Sequence, residues 1–234
     1  MIGWRFAKEL PIGRVQRGVR VGPWSVDVLC DRPLSRIEPV SGEGLRLAED
    51  LACLSQRLEA GSVRVAALPP SGRPVAAVDG EPAGFVVSIS HVRGLVGAVV
   101  SDSAWVGIDI VDPADAGRSL DLWFTPDELA LLPDDHGLLR AMLWSAKEAA
   151  YKAARLDTEF RPLLVTIESL SPHAFEWVVQ DGRTEVCGDG CFSTADRHVI
   201  AIAATPIRNA TGRVESDAAE PFIESTRLNQ GVPA

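Results

Sequence analysis

Three short segments of the sequence carry residue types that could handle a phosphate substrate. The first is V-G-I-D-I-V at residues 106–111. Read as a strand, it turns Val106, Ile108 and Ile110 to one side and Gly107, Asp109 and Val111 to the other, because successive strand side chains alternate. Asp109 then offers a carboxylate, with room beside it at Gly107. Taken alone, the same residue also reads as a strand-end aspartate facing water.

The second segment is W-S-A-K-E-A-A-Y-K-A at residues 144–153. On a helix, Trp144, Glu148 and Lys152 fall at i, i+4 and i+8 and share one stripe. Alone, this is also the pattern of an exposed Glu–Lys pair beside a packed tryptophan. If Glu148 faces Asp109, the two carboxylates can hold a hard divalent cation, with water and phosphate oxygens completing its shell. Magnesium is usually held this way at phosphate substrates. Lys147 and Lys152 would then neutralise phosphate charge or assist a leaving oxygen.

The third segment is S-I-S-H at residues 88–91, at a strand end, with S-G-R-P upstream at 71–74. Ser90 and His91 can donate hydrogen bonds to phosphate, and Arg73 can make a bidentate contact. A single histidine at a strand end is also an ordinary structural or solvent-facing residue.

These segments need elements to position them. A near-helical leucine spacing from about Gly44 to Ala60 (Leu45, Leu47, Leu51, Leu54, Leu58) predicts an amphipathic helix on a sheet. Strands are expected at 24–29, 85–90, 95–100 and 105–111. Thr125-Pro126-Asp127-Glu128 has the form of a capping box opening a helix. A second helix is expected from about His136 to Arg155, burying Leu139, Leu143, Ala146, Ala150 and Ala153. Strands follow at 163–170, 174–180, 184–187 and 191–204. Residues 1–23 read as an irregular arm, and the Pro- and Gly-marked stretch 69–82 reads as loops. Cys187-Gly-Asp-Gly-Cys191 reads as a turn joining strands, since its spacing differs from Cys-x-x-Cys. This order gives an α+β fold, with two similar halves joined near residues 101–105.

Composition bounds the function. Hydrophobic residues at 46% and charged residues at 24% fit a soluble globular chain, and no apolar run reaches membrane length. A net charge of −9 argues against nucleic acid or an anionic membrane as the general partner, so a polyphosphate needs a local basic pocket. Four scattered cysteines do not make a disulfide scaffold, and no secretory signal is visible, so a cytoplasmic location is expected.

In order, S-G-R-P, S-I-S-H, V-G-I-D-I and W-S-A-K-E-A-A-Y-K-A resemble the Sfp-type 4′-phosphopantetheinyl transferases over about residues 68–155, and the strand near 198–204 fits that family's closing strand. The resemblance implies transfer of the 4′-phosphopantetheine arm of coenzyme A to a serine of an acyl or peptidyl carrier protein in fatty acid, polyketide or peptide synthesis, releasing adenosine 3′,5′-bisphosphate. It implies that Asp109 and Glu148 hold Mg2+ and that Glu148 serves as base. It also implies that Lys152 contacts the phosphate being transferred, that Ser90, His91, Arg73 and Lys147 bind coenzyme A, and that Asp109, Glu148 and Lys152 are the catalytic set. The implied fold is a pseudo-two-fold pair of α+β halves with the site in the cleft between them. Residues 1–104 would form the coenzyme A half and residues 105–206 the magnesium and catalytic half. Residues 207–234 would be a polar tail, and the chain would be a monomer.

The sequence departs from that family at Val111, where many members carry a further acid, and at Ser88, where asparagine is common. Residues 41–60 supply only Arg46 and Arg57 for a 3′-phosphate, although Arg14, Arg17 and Arg20 lie in the N-terminal arm. The alternative from another class is a non-catalytic relative that binds coenzyme A or a carrier protein.

Overall fold

The computed structural model describes residues 9–33, 42–69, 71–132, 137–156, 158–182 and 184–207. The tail expected from 207 lies outside the described residues from 208 onward, as does His136.

Two sheets carry the fold. The first combines β1 (Gln16–Val21), β2 (Trp24–Asp31), β6 (Val86–Val92) and β7 (Leu95–Ser101) in the order β1-β2-β7-β6. Helix α1 (Glu43–Gln56) lies on this sheet, where Leu47, Ala48, Leu51 and Ala52 meet Val87, Val96, Ala98 and Val100. The small third sheet, β3 (Val63–Leu68), β4 (Arg73–Val78) and β5 (Glu81–Pro82), flanks it.

The second sheet combines β8 (Ala104–Val111), β9 (Val165–Leu170), β10 (Ala174–Gln180), β11 (Glu185–Ala195) and β12 (His198–Pro206) in the order β8-β12-β11-β10-β9. Helix α2 (Pro126–Ala130) and helix α3 (Gly137–Ala154) precede β9. Leu139, Leu143, Ala146, Ala150 and Ala153 of α3 are buried against the second sheet, as their spacing requires.

The remaining faces of the two sheets meet each other. Val19, Val26, Val28, Leu95 and Val99 from the first pack with Val106, Ile108, Ile110, Ile200 and Ile202 from the second. The layers thus run helix, sheet, sheet, helix in a mixed α+β arrangement. β8 shows the expected alternation: its even-numbered residues enter this central layer and its odd-numbered ones face α3. β6 and β8 are edge strands of their sheets and lie side by side. The Ile108 and Ile110 N–H groups, which have no ladder partner on that edge, donate to the hydroxyls of Ser88 and Ser90, each at 3.2 Å.

Four local expectations change. The irregular arm contains β1, where Val19 and Val21 are buried across from β2. The loop stretch 69–82 contains β4 and β5, because Arg73–Val78 pairs along all of β3. Leu54 is 53% exposed, since α1 ends soon afterwards at Arg57 in the left-handed conformation. Cys187–Cys191 is not a turn: all five residues sit within β11 and pair with β10. Its glycines serve packing. A methyl group on Gly188 would lie 2.7 Å from the Trp177 ring, and one on Gly190 would lie 2.0 Å from the Phe175 ring.

Candidate active site

The ends of β6 and β8 and the middle of α3 converge on one cavity of about 370 Å³. Strand β6 contributes Ile89, Ser90 and His91, strand β8 contributes Asp109, Ile110 and Val111, and α3 contributes Trp144, Glu148 and Lys152. The three α3 residues are the i, i+4, i+8 stripe read from the sequence, and Asp109 and Val111 share the β8 face turned toward them. The site therefore joins one edge strand from each sheet to a helix from the far side.

Helix α3 can reach β8 because of Gly107. The sequence suggests open space beside Asp109 there, but the helix backbone fills it. A methyl group at 107 would stand 2.0 Å from the Ala149 carbonyl oxygen and 2.7 Å from the Ala153 nitrogen. That close approach carries Lys152 to the strand, where its ammonium donates to the Ile108 carbonyl at 3.0 Å and to Asp109 Oδ1 at 2.8 Å.

Asp109 is 4% exposed, and Oδ1 accepts a second hydrogen bond from Ser90 at 2.8 Å. Glu148 Oε2 lies 3.8 Å from Lys152 Nζ. Burial pushes the Glu148 carboxyl up to about 7, and the negative charge of Asp109 beside it adds to the rise. The Lys152 charge and a hydrogen bond from Trp144 oppose the shift without cancelling it. Two carboxylates thus share a pocket with one ammonium, and the second acid is left short of positive charge. Their oxygens are hard donors, and a divalent cation between them would supply the missing charge. The donor set fits magnesium. Among the described residues no third His, Cys, Asp or Glu joins them, and Val111 occupies the neighbouring position on the strand.

Of the residues singled out from sequence, Ser90, His91, Asp109, Glu148 and Lys152 come together in the cavity. Lys147 does not. It is fully buried on another side of α3, where its three ammonium protons meet Glu128 Oε2 at 2.8 Å, the Pro162 carbonyl at 3.1 Å and the Val165 carbonyl at 2.5 Å. Burial lowers the Lys147 pKa, and Glu128 works against that shift. The ammonium so enclosed lies outside the cavity that the other expected residues share. Arg73 lies on β4, outside the cavity lining.

Two participants escaped the sequence reading. Ser88 fastens β8 to β6, and its signal was the alternation of Ser88 and Ser90 with Val87 and Ile89. Glu128 closes the expected capping box with Thr125, yet it is also 1% exposed and accepts from the Ile167 N–H at 2.9 Å while holding Lys147. One carboxylate thus joins α2, α3 and β9, a role that a capping motif alone does not disclose.

Residues 105–203 match the family model described as the 4′-phosphopantetheinyl transferase superfamily. The matched stretch includes α3 and most of the second sheet, with Asp109, Glu148 and Lys152. β6, with Ser90 and His91, lies outside it. No curated protein matches the chain. Among the described residues no helix is long and apolar enough to cross a membrane.

Proposed function

We propose that the chain is an Sfp-type holo-carrier-protein synthase, which moves the 4′-phosphopantetheine arm of coenzyme A to a serine of an acyl or peptidyl carrier protein. The observation that carries this reading is the convergence of Asp109, Glu148 and Lys152 in the cavity, within the stretch that matches the transferase superfamily. Asp109 and Glu148 would hold magnesium. When bound, the ion supplies positive charge to the pyrophosphate oxygens of coenzyme A as the P–O bond breaks.

The chain's own residues account for the remaining needs. Lys152 can turn its ammonium from Asp109 toward the phosphate being transferred and offset charge there. His91 is exposed at the cavity edge and can donate to a phosphate oxygen. Glu148 lines the same cavity and would take the proton of the carrier serine, directly or through water. The carrier serine oxygen attacks the phosphorus that bears the pantetheine arm, and its proton passes to Glu148. The pyrophosphate bridge breaks, and adenosine 3′,5′-bisphosphate leaves with the bridging oxygen. Arg73 on β4 would lie toward the nucleotide end, and the two sheet-and-helix units, residues 1–104 and 105–206, would be the pseudo-equivalent halves flanking the cleft.

Incubation with coenzyme A, magnesium and apo-carrier proteins of several types tests the proposal. The expected result is a phosphopantetheine mass added to at least one carrier. Val111 on the cavity wall favours a second reading, a non-catalytic module that binds coenzyme A or a carrier. Binding without any mass gain, while a known transferase modifies the same carriers, selects that reading.

A further inference from the structure

We propose that Ser90 is a positioning residue for Asp109 rather than a ligand of phosphate. This rests on the reading of Asp109 as a metal ligand. Ser90 is 6% exposed, and both functions of its hydroxyl are committed. The oxygen accepts the Ile110 N–H at 3.2 Å, and the one proton goes to Asp109 Oδ1 at 2.8 Å. A hydroxyl has a single proton to give. Donation to a phosphate would therefore require Ser90 to release Asp109.

The bond also orients the Asp109 carboxylate. Lys152 Nζ donates to the same Oδ1 at 2.8 Å, so two donors converge on one oxygen. Glu148 shares a side-chain hydrogen bond with the same carboxylate, so without metal the two acids are held against each other. Ser88 repeats the device one step along, accepting the Ile108 N–H, so the strand carrying Asp109 cannot slide against β6. His91, exposed where Ser90 is buried, remains as the phosphate donor of the Ser-His pair.

Calorimetric titration of Mn2+ into the protein without coenzyme A, together with coenzyme A binding without metal, tests the assignment. Ser90→Ala is expected to weaken Mn2+ binding by about 10-fold, as loss of a residue that orients a metal ligand commonly does, and to leave metal-free coenzyme A binding unchanged. Ser90→Thr, which keeps the hydroxyl, is expected to retain Mn2+ affinity. Should Ser90→Ala fail to fold, Ser90→Cys, with its weak donor, is expected to fall between wild type and complete loss. Wild-type Mn2+ affinity in Ser90→Ala or Ser90→Cys, or loss of metal-free coenzyme A binding, would overturn the assignment, as would a wild type that takes up no Mn2+. A wild type whose Mn2+ affinity depends on Ser90 in this way yet modifies no carrier leaves the assignment standing and removes the transferase reading instead.

Discussion

The backbone carbonyl of Ala149 in α3 lies where a side chain at position 107 of β8 would have to be: a methyl group on Gly107 would stand 2.0 Å from that oxygen. The obstacle is helix backbone, which cannot rotate aside as a side chain can. Gly107→Ala therefore forces α3 away from the strand that carries Asp109. The expected cost is about 1–3 kcal/mol of stability, the usual range for overpacking. Because the same displacement separates Lys152 and Glu148 from Asp109, the variant should also lose transfer at temperatures where it remains folded. Chemical denaturation with a parallel carrier assay checks both. A Gly107→Ala protein with native stability and full activity would refute the close approach as the source of the site's geometry.

Lys147 and Glu128 form an enclosed ion pair on another side of α3, at 2.8 Å with both side chains essentially unexposed. Removing one member of such a pair strands a buried charge, at about 3–5 kcal/mol. Lys147→Met is expected to destabilise on that scale, because Glu128 keeps only its backbone donors. Adding Glu128→Gln should recover part of the loss, since the neutral amide leaves no orphaned charge. A double-mutant cycle by urea denaturation measures the coupling. Where Lys147→Met remains folded, its KM for coenzyme A should match wild type, and a raised KM would return Lys147 to the binding site.

The raised Glu148 carboxyl makes metal-free stability fall with pH in a definite window. The folded protein holds the Glu148 proton more tightly than the unfolded chain does. This contribution is complete below the ordinary glutamate value of about 4.3 and is lost as pH rises through about 7. Its size is on the order of 3–4 kcal/mol. With chelator present, wild type should therefore lose stability between acid and neutral pH more steeply than Glu148→Gln, which stays neutral throughout. Magnesium should flatten the wild-type curve and displace a proton near pH 7, visible as a buffer-dependent heat of binding. Parallel pH–stability curves for the two proteins would show that Glu148 is not held in its protonated form.

The reach of the sequence differed between these cases for physical reasons. Asp109, Glu148 and Lys152 were legible because strand alternation and helix spacing fix which side chains share a face, and both patterns are local. Lys147 was not, because a neighbour along a helix points about 100° away, and only the tertiary fold shows that it meets Glu128 there. The capping box of Thr125 and Glu128 was visible as a motif, whereas the burial of Glu128 under α3 was not. Strand β11 is illegible for a related reason: Gly188 and Gly190 have the composition of a turn, but they are small because the Ala204 carbonyl and the Trp177 ring crowd the first and the Phe175 ring lies across the second. Gly190→Ala, with its methyl 2.0 Å from the Phe175 ring, should accordingly cost about 1–3 kcal/mol. Unaltered denaturation would show that the Phe175 ring can move aside at no cost.

Val111 follows Asp109 by two residues on the same face of β8 and lines the same cavity. A carboxylate there would join Asp109 and Glu148 as a third hard oxygen donor, and each added ligand charge strengthens the hold on a divalent cation. Val111→Glu should therefore bind Mg2+ more tightly than wild type in calorimetric titration. Without metal, the extra negative charge joins two carboxylates beside Lys152, so the variant should be less stable than wild type in chelator and recover when Mg2+ is added. Both signs must appear together, because a carboxylate pointing to solvent would change neither, and one that merely disrupts packing would destabilise without rescue. The carrier assay on this variant then bears on the competing readings. Transfer that persists or rises identifies the two-carboxylate site as a working centre with a weaker grip on its ion. A tighter metal site that still modifies no carrier would place the chain with the binding modules.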